Sequence, residues 1–406
     1  MKVTYRWLKD YVDFSESAFE IADKLTHAGF EVEEIHPMIQ PFTGVVVGEV
    51  VEVEKHPNAD KLSVCKVRTA EGEYQVICGA PNVAQGQFVP FAQVGAVLPG
   101  GFKIKKAKIR GVESFGMICS KEELGLEKQS DGIWAFEQPM PLGEDVHALL
   151  SKEEDYLLDF FITPNRPDCL SVVGIAREIA ALTGSTLRLP QVQVQEQSTE
   201  KIDDLVSIKI HDPEGCPRYA ARIIRGVKLA PSPEWMQHRL EAVGVRPINN
   251  IVDITNYVLM ELGHPLHAFD LAQIKGPEIN VRSSEPGEKF TTLDEKEREL
   301  PANTVMICDR DRAVAIGGIM GGLNSEVSDT TKDILLESAY FNPERIAFSS
   351  KKLGLSTEAS QRFERGADPN GVLRALDRAA QLMAELAGGT IVTGVYDVYP
   401  RPIKPQ

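Results

Sequence analysis

The polar groups that could do chemistry in this sequence stand among apolar or glycine-rich residues. Glu337 lies within the apolar stretch ILLESAYF, where a carboxylate is costly to bury unless a partner group matches it. It either receives a polar ligand or faces water as an ordinary strand residue. The stretch AIGGIMGG contains Gly318 and Gly321, whose bare backbone would let a ligand approach the main chain closely. No helix start with a lysine follows, so this stretch does not indicate a phosphate-binding loop.

A second group of candidates is a row of cations in GGFKIKKAKIRG. The row consists of Lys103, Lys105, Lys106, Lys108 and Arg110. On an alternating strand Lys106, Lys108 and Arg110 share one face, which could follow a phosphate backbone. The alternative is an edge strand that lysines protect against aggregation. Because Lys and Arg number 44 against 59 Asp and Glu, a net charge of −15, a polyanion would need such a local patch.

These groups must be positioned by several domains, because 406 residues exceed one ordinary core. Changes in composition along the chain predict a multi-domain α+β protein. Residues 1–39 and 151–190 are each too short to bury a core alone, so they are expected to form one α+β domain. Between them, residues 40–150 are rich in short strands and turns, which predicts a small closed barrel or a sandwich. A larger mixed α/β domain is expected at 200–395, and the proline-rich residues 396–406 are typical of a linker.

Helix ends are predicted by capping residues. Ser17 and Glu20 form a capping box that begins the first long helix. Ser232 is expected to cap a later helix, with Pro233 at its first position. Asn370 is expected to cap the last helix, VLRALDRAAQLMAELA.

Several functional classes are excluded by composition. The six cysteines are scattered without a CxxC pair, so neither a structural zinc site nor a disulfide framework is indicated, and no metal site is expected. No stretch approaches the ~20 apolar residues of a membrane span, and the N-terminus has no apolar signal core. A cytoplasmic protein without membrane partners is therefore expected.

The β-rich segment resembles a known RNA-binding module. The stretches GEVVEVEKHPNADKLSVCKV, VICGAPNV and GAVLPGGFKIKKAKIRGVESFGMICSKEELGL are similar, in order, to the tRNA-binding OB-fold module of several synthetases and tRNA chaperones. The resemblance covers residues 40–140. It implies an OB-fold barrel at 40–150 whose row of cations contacts tRNA.

The rest of the chain resembles the β subunit of bacterial phenylalanyl-tRNA synthetases. This resemblance rests on RPINNIVDITNYVLMELGHPLHAFD, AIGGIMGG, DILLESAYF and KKLGLSTEASQRFERGADP, with TPNRPDCLSVVGIARE before them. It implies an editing domain at 200–395 that hydrolyses tyrosine mischarged on tRNA(Phe). The partners implied are tRNA(Phe) and an α subunit in an α2β2 heterotetramer. ATP and Mg2+ would serve the complete synthetase, with no cofactor in this segment, and 396–406 would link to further domains.

The resemblance also assigns site residues by their match to the family's motifs. The implied catalytic residues are His267, Glu337, Thr255 and Asn256, and the implied substrate-binding residues are Arg246, Pro265, Gly318, Gly321, Thr357 and Ala359. Glu337 would accept the tyrosine phenol, and a neutral His267 could hold the attacking water or the ribose. His264 departs from the family, in which glutamine is usual.

A second basic patch is implied beside the pocket. Lys351, Lys352, Arg362 and Arg365 are candidate contacts for the tRNA acceptor stem, although ordinary surface charge is the alternative. The competing function is a non-catalytic tRNA-binding or structural module of the synthetase. A Glu337 that is exposed and far from His267 would favour that alternative.

Overall fold

Two compact units make up the chain. The computed structural model describes residues 1–127, 129–151 and 155–404. One unit consists of Met1–Ile35 together with Leu157–Gln406, and the other is His36–Tyr156. In sequence, the second unit is therefore an insertion in the first. The end of the predicted linker, residues 405 and 406, lies outside the described residues. The predicted further division near residue 200 stays a prediction.

Ten α-helices occur in the described residues. They are α1 Tyr5–Lys9, α2 Ala18–His27, α3 Val146–Ser151, α4 Val172–Thr183, α5 Ile202–Leu205, α6 Glu234–Ala242, α7 Asn250–Leu262, α8 Pro343–Leu353, α9 Glu358–Arg365 and α10 Gly371–Ala387. Within the described ranges, no helix combines the length and apolar character needed to cross a membrane.

The same ranges contain 24 strands. The first eleven are β1 Lys2–Thr4, β2 Glu31–Pro37, β3 Thr43–Lys55, β4 Ser63–Thr69, β5 Gly72–Cys78, β6 Phe88–Leu98, β7 Phe102–Lys103, β8 Ala107–Ile109, β9 Val112–Ser114, β10 Gly116–Ile118 and β11 Tyr156–Phe161. The others are β12 Glu196–Lys201, β13 Ser207–Ile210, β14 Arg218–Arg225, β15 Leu266–Asp270, β16 Glu278–Ser283, β17 Lys289–Thr291, β18 Glu297–Glu299, β19 Val305–Cys308, β20 Ala313–Ile316, β21 Met320–Gly321, β22 Ile334–Tyr340, β23 Thr390–Thr393 and β24 Tyr396–Val398.

The two separated segments of the first unit meet in a small sheet. Strand β11 lies between β1 and β2, and Val3 pairs with Leu158 in antiparallel register. The predicted capping box at the start of α2 is confirmed. The Ser17 hydroxyl accepts from the Glu20 amide, and the Glu20 carboxylate accepts from the Ser17 amide. These bonds satisfy amides that a helix start otherwise leaves without partners.

The larger sheet of this unit orders its strands β12-β23-β14-β22-β15, with β24 also paired to β14. Side chains alternate between the faces of a strand, so β22 serves two cores. Ile334 and Leu336 pack in the cluster that contains the helices. Leu335 and Ala339 pack in the cluster that contains the second sheet, β13-β16-β19-β20-β21. Glu337 lies between them in sequence and shares this second face.

The glycine-rich stretch forms the tight connection between β20 and β21. The Gly317 amide donates to the Val305 carbonyl at 2.8 Å. Gly318 has a φ of +70°, and a Cβ there would lie 2.9 Å from Cδ2 of Phe341 and 3.0 Å from Cδ2 of Phe363. Glycine is therefore needed for both backbone conformation and space.

The inserted unit contains a six-stranded antiparallel sheet. Its order is β10-β6-β3-β4-β5, with β7 paired to β6. The chain just before β10 approaches β5, where the Phe115 amide donates to the Gln75 carbonyl and the Ile77 amide donates to Ser114 Oγ. Among the described residues no regular ladder joins β5 to β10. The sheet is therefore not the closed barrel that the sequence predicts, because single hydrogen bonds replace the last ladder.

The predicted capping role of Ser232 is wrong. Helix α6 begins at Glu234, and its N-cap residue is Pro233. The Ser232 hydroxyl instead donates to Asp253 Oδ2 at 2.6 Å. This tertiary hydrogen bond to the first turn of α7 uses the group that a local cap would need.

The predicted linker begins as part of the sheet. Tyr396–Val398 pairs with β14, where Ala220 lies opposite Asp397. The guanidinium of Arg218 donates to both carboxylate oxygens of Asp397, at 3.0 and 2.7 Å. A bidentate ion pair and backbone pairing therefore fix the chain to β14 as far as residue 398.

A buried charged group ties the N-terminal segment to the helices. Glu261 in α7 is fully buried and accepts from Tyr11 Oη at 2.6 Å. The guanidinium of Arg378 in α10 donates to the same carboxylate at 3.0 and 3.2 Å. A buried carboxylate that loses its cation is strongly destabilising, because its charge then lacks both solvent and a partner.

We therefore expect Arg378→Met to lower the free energy of unfolding by about 3 kcal/mol or more. The double variant Glu261→Leu/Arg378→Met should lose less, since it leaves no unpaired charge. Urea unfolding of the chain and both variants measures this difference. A double variant as unstable as the single one would show that the ion pair is not the relevant interaction.

Candidate functional site

Three polar side chains meet on one face of the larger sheet. Strand β22 lies between β14 and β15, and His267 of β15 is directly opposite Glu337 of β22. Tyr219 of β14 shares this face, because it lies two residues from Ala221, which pairs with Glu337 on the other side. The alternation of three neighbouring strands therefore brings a phenol, a carboxylate and an imidazole together.

Glu337 is a buried carboxylate with one satisfied oxygen. Its residue is 6% exposed, and Oε2 accepts from Tyr219 Oη at 2.6 Å. Oε1 receives no hydrogen bond from the described residues. Burial raises the pKa of Glu337 to about 7, and the hydrogen bond from Tyr219 acts in the opposite direction. The carboxyl group can therefore take either protonation state near neutral pH.

His267 presents a neutral imidazole. Burial lowers the pKa of the ring to about 4, so that it carries no charge at physiological pH. The ring lies edge-on to Phe269, with centroids 4.4 Å apart. A Cβ at Gly321 would lie 2.6 Å from His267 Cε1 and 2.9 Å from Nε2. Because Gly321 has no side chain, the His267 ring can occupy this space.

Glu337 and His267 line a cavity of about 290 Å³. Among the sequence-predicted residues, the wall also contains Asn256, Pro265, Gly318, Gly321, Thr357 and Ala359. Thr357 caps α9 through the Ser360 amide and donates to the Ile319 carbonyl at 3.0 Å. Its hydroxyl thus fixes the start of α9 against the glycine-rich turn.

Two predicted residues do not line this cavity. Thr255 is buried in α7, and its hydroxyl donates to the Val252 carbonyl at 2.7 Å. Adjacent helix positions point about 100° apart, and only Asn256 reaches the cavity. Arg246 is exposed in the loop between α6 and α7 and is also absent from the cavity wall. The structure therefore does not bring these two residues to the others.

Sequence reasoning missed Tyr219. It lies in the strand RYAARIIR, whose apolar residues suggest only a core strand. The detectable signal is that a phenol in a fully buried strand needs a hydrogen-bond acceptor. His264, the residue that departs from the family pattern, is also buried. Its Nε2 lies 3.1 Å from the Ala339 carbonyl, so the substitution has a partner inside the protein.

The five cations of the predicted row in the inserted unit are all exposed. The strand predicted to carry Lys106, Lys108 and Arg110 on one face is not formed, because only Lys108 lies in a strand, β8, while Lys106 precedes β8 and Arg110 follows it in a turn. Lys103 lies in β7. Lys106 pairs with Glu113 at 2.9 Å. The patch is thus a strand end joined to a hairpin rather than a continuous row.

The tip of this hairpin has a defined geometry. Arg110 and Gly111 connect β8 to β9 with φ of 49° and 95°, as a two-residue hairpin turn requires. Asn58 Nδ2 donates to the Arg110 carbonyl at 3.0 Å, and His56 Nε2 lies 3.1 Å from the Ile109 carbonyl. The HPN sequence after β3 therefore braces the backbone that carries the cations.

The second predicted basic patch is corrected by burial. Arg362 is 3% exposed, and its guanidinium donates to the Leu170 carbonyl and to Glu358. It therefore stabilises packing inside the first unit instead of presenting charge. Lys351 and Lys352 remain exposed, whereas Arg365 donates to the Ile162 carbonyl.

A cluster of possible metal ligands is satisfied by an arginine. Asp168, Cys169 and Glu178 form such a group within the described ranges. Arg166 Nη2 donates to all three, at 2.8, 3.3 and 2.7 Å. The guanidinium provides the positive charge at their centre, so this donor set does not fit a Mg2+ site.

Comparison with known families agrees with this two-part organisation. Residues 45–145 match the family model described as "Putative tRNA binding domain", and residues 215–388 match the B3/4 domain. The chain thus combines a tRNA-binding type of domain with a B3/4 domain, which contains Tyr219, His267 and Glu337.

The chain belongs to the family of phenylalanine–tRNA ligase β subunits. It is 54% identical over 404 residues to the β subunit of Syntrophus aciditrophicus, with 100% of this chain and 50% of that protein covered. It is 53% identical over 403 residues to the β subunit of Geobacter sulfurreducens, with 99% and 50% covered. The chain spans about half the length of these curated relatives.

A solved structure of an N-terminal fragment of the phenylalanyl-tRNA synthetase β subunit from Pyrococcus horikoshii is also similar. Its sequence identity is 17% and its TM-score is 0.34. The similarity covers 62% of this chain and 68% of the fragment.

The raised pKa of Glu337 gives a testable dependence of stability on pH. The folded state favours the protonated carboxyl, so this contribution is fully present below 4.5 and is lost as the pH rises through about 7. Relative to Glu337→Gln, the chain should lose about 3 kcal/mol of unfolding free energy between pH 4.5 and 8. Urea unfolding across this range measures the difference. Parallel pH profiles would contradict the burial of an ionisable carboxyl at this position.

Proposed function

We propose that this chain binds tRNA(Phe) and hydrolyses the ester of tyrosine wrongly attached to it, as the editing part of a synthetase β subunit. The observation that carries this proposal is the buried Glu337 opposite His267 in a cavity. An acceptor without a protein partner on one oxygen is suited to a ligand that brings a hydrogen-bond donor. The phenol of tyrosine is such a donor, and phenylalanine has none.

The chemical need for this site follows from the similarity of the two amino acids. An apolar pocket rejects an isostere with one extra hydroxyl only ~10²-fold. A second site with the opposite preference can improve on this ratio. When phenylalanine enters it, the second oxygen of the buried carboxyl lacks a donor, at a cost of about 1–3 kcal/mol.

The reaction proposed is ester hydrolysis by water. The water oxygen attacks the ester carbonyl carbon, the bond from that carbon to the ribose oxygen breaks, and the ribose oxygen takes up the proton that the water loses, which leaves free tyrosine and a ribose hydroxyl. The neutral ring of His267 can accept a hydrogen bond from the attacking water, because its low pKa leaves one ring nitrogen unprotonated. Asn256 on α7 also lines the cavity and offers further hydrogen bonds.

The small residues of the wall would set which substrates enter. Ala359 lies in the first turn of α9, which Thr357 holds beside the glycine-rich turn. Gly318 and Gly321 lie in the same cavity wall, and a Cβ at Gly321 would displace the ring of His267. We propose that this arrangement admits an aromatic amino acid esterified to a terminal adenosine.

The inserted unit is proposed to grip tRNA as an OB-fold type of module. Lys103, Lys105, Lys108 and Arg110 have no ion-pair partner among the described residues, so their charges are available to phosphates. Lys106 already pairs with Glu113 and lies 4.5 Å from the ring centre of Phe115. Arg246 and Thr255, which do not line the cavity, are proposed to act only through tRNA contacts and helix structure, respectively.

The complete enzyme is proposed to attach phenylalanine to tRNA(Phe) with an α subunit in an α2β2 heterotetramer in the cytoplasm. ATP and Mg2+ would serve that aminoacylation. The cluster of Asp168, Cys169 and Glu178 does not fit Mg2+, because Arg166 already occupies its centre. The proposed editing reaction therefore involves no step at this cluster. A non-catalytic tRNA-binding module would be favoured by an exposed Glu337 far from His267, whereas Glu337 is buried and lies directly opposite His267.

For editing, we expect the chain to deacylate tyrosyl-tRNA(Phe) faster than phenylalanyl-tRNA(Phe), and Glu337→Ala to lower the tyrosyl rate at least ~10-fold. Ala359→Trp should lower it similarly by filling the cavity. Release of radiolabelled amino acid measures both rates. Glu241→Ala, at an exposed carboxylate of α6, is the control and should leave them unchanged. An equal rate for Glu337→Ala would contradict phenol recognition.

For tRNA binding, Lys105→Ala/Lys108→Ala should weaken affinity and reduce the slope of log K against log salt by about 2, since two phosphate contacts are lost. The matched control is Lys66→Ala/Lys121→Ala, because both of those lysines are ion-paired, with Glu52 and Glu127. Filter binding at several salt concentrations gives the slopes. Equal slopes for the two variants would place the RNA elsewhere.

A further inference from the structure

Tyr219 is a fully buried phenol with a single carboxylate partner. Its exposed fraction is 0%, and its hydroxyl donates to Glu337 Oε2 at 2.6 Å. Burial and the nearby negative charge of Glu337 raise the pKa of Tyr219 well above its ordinary value. The hydroxyl therefore keeps its proton and acts as a permanent donor to Glu337.

This hydrogen bond makes the two carboxylate oxygens of Glu337 different. Oε2 is occupied by the protein's own phenol, and Oε1 has no donor among the described residues. Since Glu337 lines the cavity, Oε1 is the oxygen that remains for a ligand. A carboxylate held at one oxygen also loses the rotational freedom that would otherwise blur the position of the other.

The other polar groups around Glu337 do not replace this donor. His267 faces it from β15, Cys216 approaches from the turn before β14, and Glu358 of α9 lines the same cavity. Cys216 points its thiol to the Arg218 carbonyl, and the Glu358 carboxylate is paired with Arg362. Among the described residues, Tyr219 alone donates a hydrogen bond to the Glu337 carboxylate.

We infer that Tyr219 is a positioning residue for substrate selection, which holds the Glu337 carboxylate through Oε2 and leaves Oε1 free to accept the phenol of a tyrosyl ester. This inference rests on the proposed editing function. In the occupied cavity, two phenols donate to the two oxygens of one carboxylate, one from the protein and one from the substrate. Without Tyr219, burial favours the protonated carboxyl, whose own O–H then competes with the substrate phenol as the donor.

The experiment compares Tyr219→Phe with a matched variant, Tyr11→Phe. Tyr11 also donates from a buried phenol to a buried carboxylate, Glu261, at 2.6 Å. Both variants remove one hydroxyl, but Tyr11 and Glu261 do not line the cavity. The first readout is the titration of Glu337 by carboxyl ¹³C NMR of glutamate-labelled chain, with the resonance identified by its loss in Glu337→Gln. The second is the pH profile of tyrosyl-tRNA(Phe) deacylation.

In Tyr219→Phe the titration midpoint of Glu337 should rise by about one pH unit, because a hydrogen bond to the ionised form has been removed. Deacylation should fall about 3- to 10-fold at pH 7 and recover at higher pH. Tyr11→Phe should change neither the titration midpoint of Glu337 nor the pH profile of deacylation. Glu337→Gln, which cannot ionise, should give a deacylation rate without this pH dependence.

Two results would overturn the inference, and they differ from each other. An unchanged Glu337 titration and pH profile in Tyr219→Phe, with deacylation by the wild-type chain intact, would show that Tyr219 is only a packing residue. Absence of deacylation by the wild-type chain would refute the proposed function itself, whatever the titration shows.

Discussion

The burial of one carboxylate on a sheet face is the constraint on which this site depends. An ionised Glu337 has lost most of its water, and an unpaired charge would shift to its protonated form instead. A single short hydrogen bond from Tyr219 offsets part of that penalty and leaves the second oxygen free. Because the pKa of Glu337 is about 7, the carboxylate form that can accept a ligand's hydrogen bond is already populated near neutral pH.

The surrounding strands, turn and helix fix the positions of the side chains in this site. Three antiparallel strands set the lateral positions of Tyr219, Glu337 and His267, while the helices pack on the opposite face of the same sheet. The glycine-rich turn and α9 close the cavity without filling it, because Gly321 leaves room for the imidazole and Thr357 ties α9 to the turn. The positions of the three polar side chains of the proposed site are thus set by the register of the sheet.

Sequence reasoning could identify the elements and most of the cavity wall, but not the partners inside it. The capping box at Ser17 follows from local chemistry, and the motif match named Glu337 and His267. It could not reveal that Tyr219, 118 residues from Glu337, supplies the hydrogen bond, since register between distant strands is not a local property. For the same reason Ser232 bonds to Asp253 instead of capping its helix, and Arg362 is buried rather than part of a basic surface.

The central claim is that the cavity distinguishes a phenol from an unsubstituted ring through Glu337 Oε1. Its most direct test is calorimetric binding of two stable analogues, adenosine carrying tyrosine or phenylalanine through a 3′-amide. We expect the tyrosyl analogue to bind ~10-fold or more tightly, since only its hydroxyl satisfies the free carboxylate oxygen. Equal affinity for the two analogues would rule out phenol recognition by Glu337, because the carboxylate would then contribute nothing to the choice of amino acid.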